Sequence, residues 1–384
     1  MRLSTSMFVM TALSGFATMA CNSGVKDGPA TPPPAEMSGV MKGEVSNPTL
    51  PSALDLDHET SSASDRPTRQ DRVETIELML SRMESGHFED AFRHLDDAIV
   101  WTEIGRPTGE FDTVLEVIEY QRRARLGLSD FRLRARRVID SADYQAVEFV
   151  WSARHTGALS DGAAATDKVV TLPGAMLVHY QSDGRIDRVW VFQDWPHIAQ
   201  QLGLAPGLAA DFVATPFPTS TDVVIGTQDA AIASSYGTFA ARMGRDVYMK
   251  ALAEQTTDDF GVVNLRSGQL IKGSEAMLAY FGERVGSFDI VGTRVEAMVG
   301  AGEFFVAFVT HDYVYQGGFV GVPANGQKVV THTLDVVRFD PQSLRFKSLT
   351  TYGNSVEILT ALGLGPSASI IPEARLREPV GANP

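Results

Sequence analysis

The feature that most constrains the fold is an internal repeat. The segments VFQDWPHIAQQLGL and TYGNSVEILTALGL both end on Leu-Gly-Leu, and their last residues, Leu204 and Leu364, lie 160 residues apart. The same offset aligns KVVT at 168–171 with KVVT at 328–331. A period this long indicates a duplicated domain, because the repeats of solenoid proteins are far shorter. Each copy has about 130 residues, which is enough to bury a core of its own.

The repeat and the local composition divide the chain into six segments. The stretch before the first copy is rich in Pro, Ser, Thr and Gly and has no apolar period, so it cannot bury enough surface to offset its ordering entropy. The stretch between the copies is a linker rich in Pro and Ala. The predicted segments are a signal peptide (1–20), a disordered tether (21–70), domain 1 (71–204), a linker (205–226), domain 2 (227–364) and a disordered tail (365–384).

The first twenty residues have the pattern of a signal peptide. Arg2 supplies a positive charge, residues 7–16 are mostly apolar, and small residues precede Cys21. Cys21 is the single cysteine of the chain, and its position resembles that of the lipidated cysteine in bacterial lipoproteins. The alternative is an ordinary secretory peptide with a chance cysteine. Because the single cysteine falls at the predicted cleavage site, we expect an exported protein that is anchored to a membrane by a lipid on Cys21 and faces the periplasm or cell envelope.

Charge and motif content exclude several kinds of partner. The net charge is −14 and the isoelectric point is near 5.0, so a phosphate backbone would be repelled and nucleic acid is an unsuitable partner. The eight histidines have no HxxxH or HxH spacing, and we expect no metal site. The chain lacks the GxGxxG motif of dinucleotide-binding proteins and the GxSxG motif of hydrolases, and we expect no cofactor.

Hydrophobic periodicity predicts helices followed by strands in each copy. Val73, Ile76, Leu80 and Met83 recur at helical spacing, which indicates a helix over 71–85. Asp112 is predicted to cap a later helix, TVLEVIEYQRRA. Alternating apolar and polar residues after it predict long strands, and Asp183-Gly184 is predicted to form the hairpin turn between the last two. The predicted strands are 131–140, 146–155, 168–181 and 185–194. Helices on one face of a curled antiparallel sheet give an α+β fold, whose open end favours a small-molecule site.

This order, with the strand ARHTGALSDG, a DG hairpin and the ending RVWVFQDWPHIAQQLGL, resembles the SnoaL-like polyketide cyclase branch of the nuclear-transport-factor-two-like superfamily. The resemblance is good over domain 1 and weaker over domain 2. It implies an α+β fold of two tandem cone-shaped barrels, each a strongly curved, mostly antiparallel sheet with N-terminal helices packed on it. It also implies small apolar substrates and acid–base chemistry in the enzymatic members. Superfamily members often pair through their sheets, so the domains are expected to pack as an internal pseudo-dimer.

Asp194 is the candidate acid or base. Residues two apart in a strand share a face, so Trp190, Phe192 and Asp194 point to the same side. In the resembled cyclases an aspartate at this place acts inside the cavity, and partial desolvation beside two aromatic rings suits an acid to proton transfer. The alternative is structural. Asp194 directly precedes a predicted helix, and Asp and Asn are both favoured N-caps, which accounts for Asn354 at the corresponding position of domain 2.

The other candidates lie on the same strands. His155 shares a face with Phe149 and Trp151 and could relay a proton, although a satisfied core or rim histidine is the alternative. The predicted ligand-binding residues are Trp151, Trp190 and Phe192 in domain 1 and His311, Tyr313, His332, Tyr352 and Asn354 in domain 2. Asp335 is expected to face outward.

Two functions remain open at this point. The first is a cofactor-independent acid–base enzyme of the cyclase or isomerase type, acting through domain 1 on a small apolar carbonyl compound. The second is a non-catalytic lipoprotein that binds a small molecule or acts as a scaffold. An acid that faces an open cavity would favour the first function.

Overall fold

The computed structural model describes residues 67–105, 109–159, 163–204, 215–240, 245–264, 269–319, 322–353 and 355–364. The predicted signal peptide, Cys21, all but the last residues of the predicted tether, Asn354 and the predicted tail lie outside these ranges. Within them, no helix combines the length and the apolar composition needed to cross a membrane.

Domain 1 begins with helices and continues into a sheet, as the periodicity predicts. Its helices are α1 (Arg69–Glu84), α2 (Phe88–Ala91), α3 (Val114–Ala124) and α4 (Pro196–Leu202). Its strands are β1 (Leu95–Glu103), β2 (Glu110–Phe111), β3 (Leu128–Ser141), β4 (Tyr144–His155), β5 (Val169–Tyr180) and β6 (Ile186–Gln193). α1 starts at a capping box formed by Thr68 and Asp71, and it buries the predicted apolar face against the sheet.

One seven-stranded sheet is built on domain 1. Its strand order is β2-β1-β6-β5-β4-β3-β7, with β1 and β6 parallel and the four long strands β3 to β6 antiparallel. The edge strand β7 (Asp222–Ile225) comes from the predicted linker and pairs in parallel with β3. The end of the linker is therefore part of the sheet of domain 1.

Domain 2 repeats this order of elements. Its helices are α5 (Ala230–Ala240), α6 (Arg245–Gln255), α7 (Ser274–Ser287) and α8 (Ser355–Ala361). Its strands are β8 (Thr256–Asn264), β9 (Gln269–Lys272), β10 (Phe288–Ala301), β11 (Phe304–Tyr315), β12 (Lys328–Asp340) and β13 (Arg345–Gly353). The strand order β10-β11-β12-β13-β8-β9 matches that of domain 1, and the described residues contain no equivalent of β7 in this sheet. Both domains are thus α+β, with helices packed on one face of a mixed sheet.

The predicted alignment of the two KVVT segments is out of register in the structure. The 160-residue offset relates β4 to β11, so Val314 occupies the place of Arg154. Arg154 pairs with Val169, whereas Val314 pairs with Lys328. Lys328 therefore occupies the place of Val169, one residue later than the sequence identity indicates. A slip of one residue moves every side chain to the opposite face of a strand, so this correction decides which residues of β12 point inward.

The predicted cap of α3 is also displaced by one residue. The Thr113 hydroxyl, rather than the Asp112 carboxylate, accepts from the backbone N–H of Glu116. The Asp112 N–H instead donates to the Glu116 carboxylate at 3.0 Å. Two reciprocal bonds thus fix the start of α3, the helix whose last turn borders the cavity described below.

The outer faces of the two sheets pack against each other in one apolar cluster. Its core includes Ala146, Leu177 and Phe192 from domain 1 and Phe308, Leu334 and Tyr352 from domain 2. Phe192 contacts Phe308 edge-on, with ring centroids 5.3 Å apart. At the positions related by the 160-residue offset, the Tyr352 hydroxyl donates to Glu148 Oε1 at 2.7 Å. The repeat offset thus relates one contact between the sheets to the other.

Candidate small-molecule site

A cavity lies between the helices and the inner face of the sheet in domain 1. It holds about 570 Å³ of empty space, the solvent at its mouth included. Aromatic side chains form much of its wall, and a few polar groups interrupt them. Its lining residues include Trp101, Glu103, Arg125, Trp151, Gln193 and Trp195. A largely apolar cavity with a few fixed polar groups is the usual form of a small-molecule site.

Strand alternation places these side chains. Val189, Val191 and Gln193 of β6 point to the inner side, and Trp101 and Glu103 share the inner face of β1. On β5, Gly174 leaves room for two neighbours, because a Cβ atom there would lie 2.6 Å from the Phe149 ring and 2.9 Å from Gln193 Cγ. Glycine at this position therefore lets the aromatic wall and the Gln193 amide come together.

Two indole groups hold the polar side chains of the cavity. Trp101 Nε1 donates to Glu103 Oε1 at 3.0 Å, and Trp151 Nε1 donates to Gln193 Oε1 at 2.8 Å. Glu103 is 2 % exposed, so its carboxyl group is almost fully removed from bulk water. These bonds fix the orientation of one acid and one amide inside an aromatic enclosure. Such groups can orient a ligand, and an acid so placed can exchange a proton with it.

Arg125 adds a positive charge to the same wall. It follows α3 directly, and its Nη1 donates to the Glu84 carbonyl oxygen at 3.4 Å. The guanidinium carbon lies 3.7 Å from the ring centroid of Phe131 and 4.8 Å from that of Phe88. Burial lowers the pKa of Arg125 to about 10, with Glu84 opposing the shift, so the group remains charged at neutral pH. The cavity therefore combines a cation with aromatic surface.

The expected orientation of Asp194 into the cavity is wrong. Trp190, Phe192 and Asp194 do share a face, but it is the outer one, because the inner positions of β6 belong to Val189, Val191 and Gln193. Asp194 Oδ1 accepts from the backbone N–H of Ser355 at 3.0 Å and from its hydroxyl. The carboxylate thus binds the first residue of α8 in domain 2. Capping of the helix that follows Asp194 was the predicted alternative. The carboxylate instead binds the start of a helix in the other domain.

The remaining candidates of domain 1 separate into different regions. Trp151 lines the cavity, whereas Trp190 and Phe192 pack in the cluster between the sheets. His155 is fully buried, and its Nδ1 accepts from the Thr166 backbone N–H at 3.2 Å. It is not among the residues that line this cavity. The geometry therefore gives Asp194, His155, Trp190 and Phe192 no direct access to a ligand there.

The candidates of domain 2 are divided in the same way. His311 is buried, with Nε2 at 3.2 Å from the Thr333 hydroxyl, and Tyr313 packs beside it with ring centroids 5.6 Å apart. His332 instead pairs with Glu357 at 2.6 Å, and Tyr352 donates to Glu148 between the domains. Asn354 lies outside the described residues. The structure thus brings His311 and Tyr313 together and separates them from His332 and Tyr352.

Asp335 also differs from its expected outward position. It is 6 % exposed, and the Tyr236 hydroxyl donates to its Oδ2 at 3.4 Å. The register of β12 accounts for the error, because Asp335 corresponds to Met176, which lines the cavity of domain 1. Domain 2 thus has an acid that points inward. It lies on β12, whereas the repeat of Asp194 and Asn354 had directed attention to the end of β13.

Sequence reasoning did not identify Glu103, Gln193 or Arg125. The alternation in Trp101-Thr-Glu103 was a usable signal, since it places an acid and an indole on one face of a short strand. Gln193 was assigned to the wrong side together with the rest of β6. Arg125 follows a helix rich in charged residues, and no sequence pattern distinguishes it from its exposed neighbour Arg122. Among the residues that the structure describes, no cluster of three or more His, Cys, Asp or Glu could hold a metal ion.

Comparison with known proteins gives distant structural matches. No family model matches the chain, and no curated protein matches it. A nuclear-transport-factor-two-like protein from Burkholderia thailandensis E264 aligns at 18% identity over 36% of this chain and 99% of its own, with a TM-score of 0.30. A protein from Jannaschia sp. CCS1 with the provisional name SnoaL-like polyketide cyclase aligns at 13% identity over 38% and 99%, with a TM-score of 0.32. An epoxide hydrolase of M. tuberculosis aligns at 13% identity over 37% and 96%, with a TM-score of 0.28. These likenesses concern the fold alone.

Proposed function

We propose that domain 1 binds a small, mainly apolar molecule in its aromatic cavity. The supporting observation is the cavity itself, in which Trp101, Trp151 and Trp195 surround two fixed polar groups, Glu103 and Gln193. Flat apolar surface of this kind favours a ligand that carries a ring, because aromatic pairs gain energy beyond the area that they bury. The Gln193 amide and the Glu103 carboxyl group would then select a ligand with a matching polar edge.

Acid–base catalysis is the second candidate, and its supporting observation is the position of Glu103. This carboxyl group is buried in the cavity and held by the Trp101 indole, whereas the Asp194 carboxylate is bound to Ser355. If the protein is a cyclase-type or isomerase-type enzyme, Glu103 is the acid that could exchange a proton with a bound carbonyl compound. We place binding first because it requires only the cavity.

The three cavity tryptophans provide a direct test of binding. The chain has four tryptophans, and the fourth, Trp190, lies between the sheets. We expect 2-naphthamide, a flat neutral probe, to quench the tryptophan fluorescence of the full chain in a saturable manner. Ala124→Phe fills the cavity and should abolish this quenching, whereas Ala231→Phe, on the exposed side of α5, should leave it intact. Quenching that is absent, or equal in both variants, would contradict the proposal.

We further propose that the two domains form an internal pseudo-dimer. The paired contacts of Phe192 with Phe308 and of Tyr352 with Glu148 support this arrangement, since the repeat offset relates one contact to the other. A double-mutant cycle through the polar contact is a suitable test. The losses in unfolding free energy of Glu148→Ala and Tyr352→Phe should fall short of additivity in the double variant by about 1 kcal/mol, because both changes remove the same hydrogen bond. Additive losses would contradict the proposed packing.

The proposal for the N-terminus rests on the sequence alone. Cys21 is the single cysteine and directly follows a predicted signal peptide, so lipidation there would anchor the protein to a membrane. Expressed in a bacterial host, the full chain should partition into the membrane fraction, and Cys21→Ser should release it into the soluble fraction. Equal partitioning of the two forms would contradict lipid anchoring through Cys21.

A further inference from the structure

We propose that the ligand of domain 1 carries a carboxylate, and that the Nε–Nη2 edge of Arg125 binds it. This inference rests on the proposed binding function and specifies the chemical class of the ligand. It would make the ligand a small aromatic or otherwise flat carboxylic acid rather than a neutral carbonyl compound. Arg125 would then be the residue that determines this specificity.

One nitrogen and the carbon of the Arg125 guanidinium already contact the protein. Its Nη1 donates to the Glu84 carbonyl oxygen, and the rings of Phe131 and Phe88 lie close to the guanidinium carbon. Within the part of the chain that the structure describes, Nε and Nη2 have no hydrogen-bond acceptor, and both are shielded from water. Because Arg125 lines the cavity, an acceptor for these two nitrogens would approach through it.

The neighbouring acids do not supply that acceptor. The Glu84 carboxylate, whose charge raises the pKa of Arg125, accepts from the Leu133 backbone N–H at 2.7 Å, and Glu103 accepts from the Trp101 indole. Neither forms an ion pair with Arg125 among the salt bridges of the described residues. Cation–π contacts and the nearby Glu84 charge therefore stabilise the guanidinium, while its Nε–Nη2 edge has no acceptor among the described residues.

The geometry of the available edge selects the ligand group. Nε and Nη2 present two nearly parallel N–H bonds, whose spacing matches the two oxygens of a carboxylate. A single carbonyl oxygen would leave one buried donor without a partner, which costs binding energy. A carboxylate satisfies both donors and neutralises the charge. It is also flat, as the walls of the cavity require, whereas a phosphate group is tetrahedral and more strongly hydrated.

The test compares two probes that differ only at the proposed contact. We expect the full chain to bind 2-naphthoate at least about tenfold more tightly than 2-naphthamide, measured by quenching of tryptophan fluorescence. Arg125→Met should abolish this preference and retain the affinity for the amide. Arg125→Lys keeps the charge without the paired donors and should retain only part of the preference. Arg93→Met removes a charge from an exposed position and should behave as the unmodified protein.

The outcomes separate the inference from the function on which it rests. Equal affinity for the two probes in the unmodified protein would overturn the carboxylate inference and leave the binding function standing. A preference for 2-naphthoate that persists in Arg125→Met would also overturn it, because the anion would then be bound elsewhere. Binding of neither probe would overturn both proposals. Retained amide binding in Arg125→Met shows that the cavity has folded, so that a lost preference supports the assignment to Arg125.

Discussion

The two domains share a strand framework and differ sharply at matched positions of its inner face. Trp151 and Met176 of domain 1 correspond to His311 and Asp335 of domain 2, and Leu172 and Gly174 correspond to Thr331 and Thr333. One interior is aromatic and apolar, and the other carries a strip of polar side chains. The fold alone therefore does not fix what either interior accommodates. The ligand proposed for domain 1 cannot be transferred to domain 2, although the strands coincide.

The outer faces differ in a second way. Glu148 and Tyr352 form a buried polar contact, whereas the matched pair, Phe308 and Phe192, forms an aromatic one. Two copies of domain 1 would place the Glu148 carboxylate against Phe192, without a hydroxyl donor. Arg137 would still pair with Glu148 Oε2, but the buried Oε1 would have no donor, which is costly, so the contact favours pairing of unlike domains. The duplication has thus diverged on both faces of the sheet.

The largest expected effect comes from giving domain 1 the acid of domain 2. Met176→Asp would bury a second carboxyl group in the largely apolar cavity that already holds Glu103, and we expect a loss of about 4 kcal/mol in the free energy of unfolding. The reverse change, Asp335→Met, should cost less than about 1 kcal/mol, because a buried charged group can often be replaced by an apolar one of similar volume. Urea denaturation of the full chain measures both. Similar losses in the two variants would show that the two interiors tolerate a buried acid equally well.

The second prediction concerns the polar contact between the sheets. Glu148→Ala would leave the Tyr352 hydroxyl buried without its acceptor and would remove the Glu148 partner of Arg137, which retains Asp222. We expect a loss of about 2 kcal/mol in the free energy of unfolding. Glu148→Gln keeps an acceptor for the hydroxyl and should lose less than half as much. An equal loss in both variants would indicate that the carboxylate charge, and not the hydroxyl contact, stabilises the pairing.

Much of the fold could be predicted because its signals are local. The helical spacing of Val73, Ile76 and Leu80 and the long alternating strands depend on neighbours within one element, and the repeat doubled that information. The one-residue slip of β12 could not be seen, because identity between two KVVT segments carries no information on pairing. Register is set by the partner strand, and only the structure shows that Val314 pairs with Lys328.

The site was less predictable, because both faces of the sheet are apolar for different reasons. Trp190 and Phe192 have the hydrophobic character expected of a cavity wall, yet they are buried against domain 2. Alternation reveals which residues share a face and cannot reveal which face is inside when the outer one is also covered. The same ambiguity hid Gln193 and placed Asp335 on the wrong side. A sheet with one solvated face would have given the correct answer.

A smaller effect is expected at the contact that the sequence presented as a catalytic candidate. Asp194→Ala removes the acceptor for the Ser355 backbone N–H at the start of α8, and we expect a loss of about 1 kcal/mol in the free energy of unfolding. Asp194→Asn keeps a side-chain oxygen and should lose a few tenths of that amount. Binding of 2-naphthamide should be unchanged in both variants, since Asp194 lies outside the cavity. Loss of probe binding in Asp194→Asn would restore the original interpretation.

The smallest effect is a pH dependence from one pair in domain 2 that has no counterpart at the matched positions of domain 1. The hydrogen bond to Glu357 raises the pKa of His332 above 6.5, against the opposing effect of burial, while domain 1 has Pro173 and His197 at these positions. Protonated His332 therefore stabilises the folded state fully below about pH 6.5, and this contribution is lost as the pH rises through the raised folded pKa. The pair is partly exposed, so we expect less than about 1 kcal/mol. The difference in unfolding free energy between the unmodified protein and His332→Gln should be largest at about pH 6 and shrink as the pH rises. A difference that grows with pH would reverse the assigned sign and exclude this pair as its source.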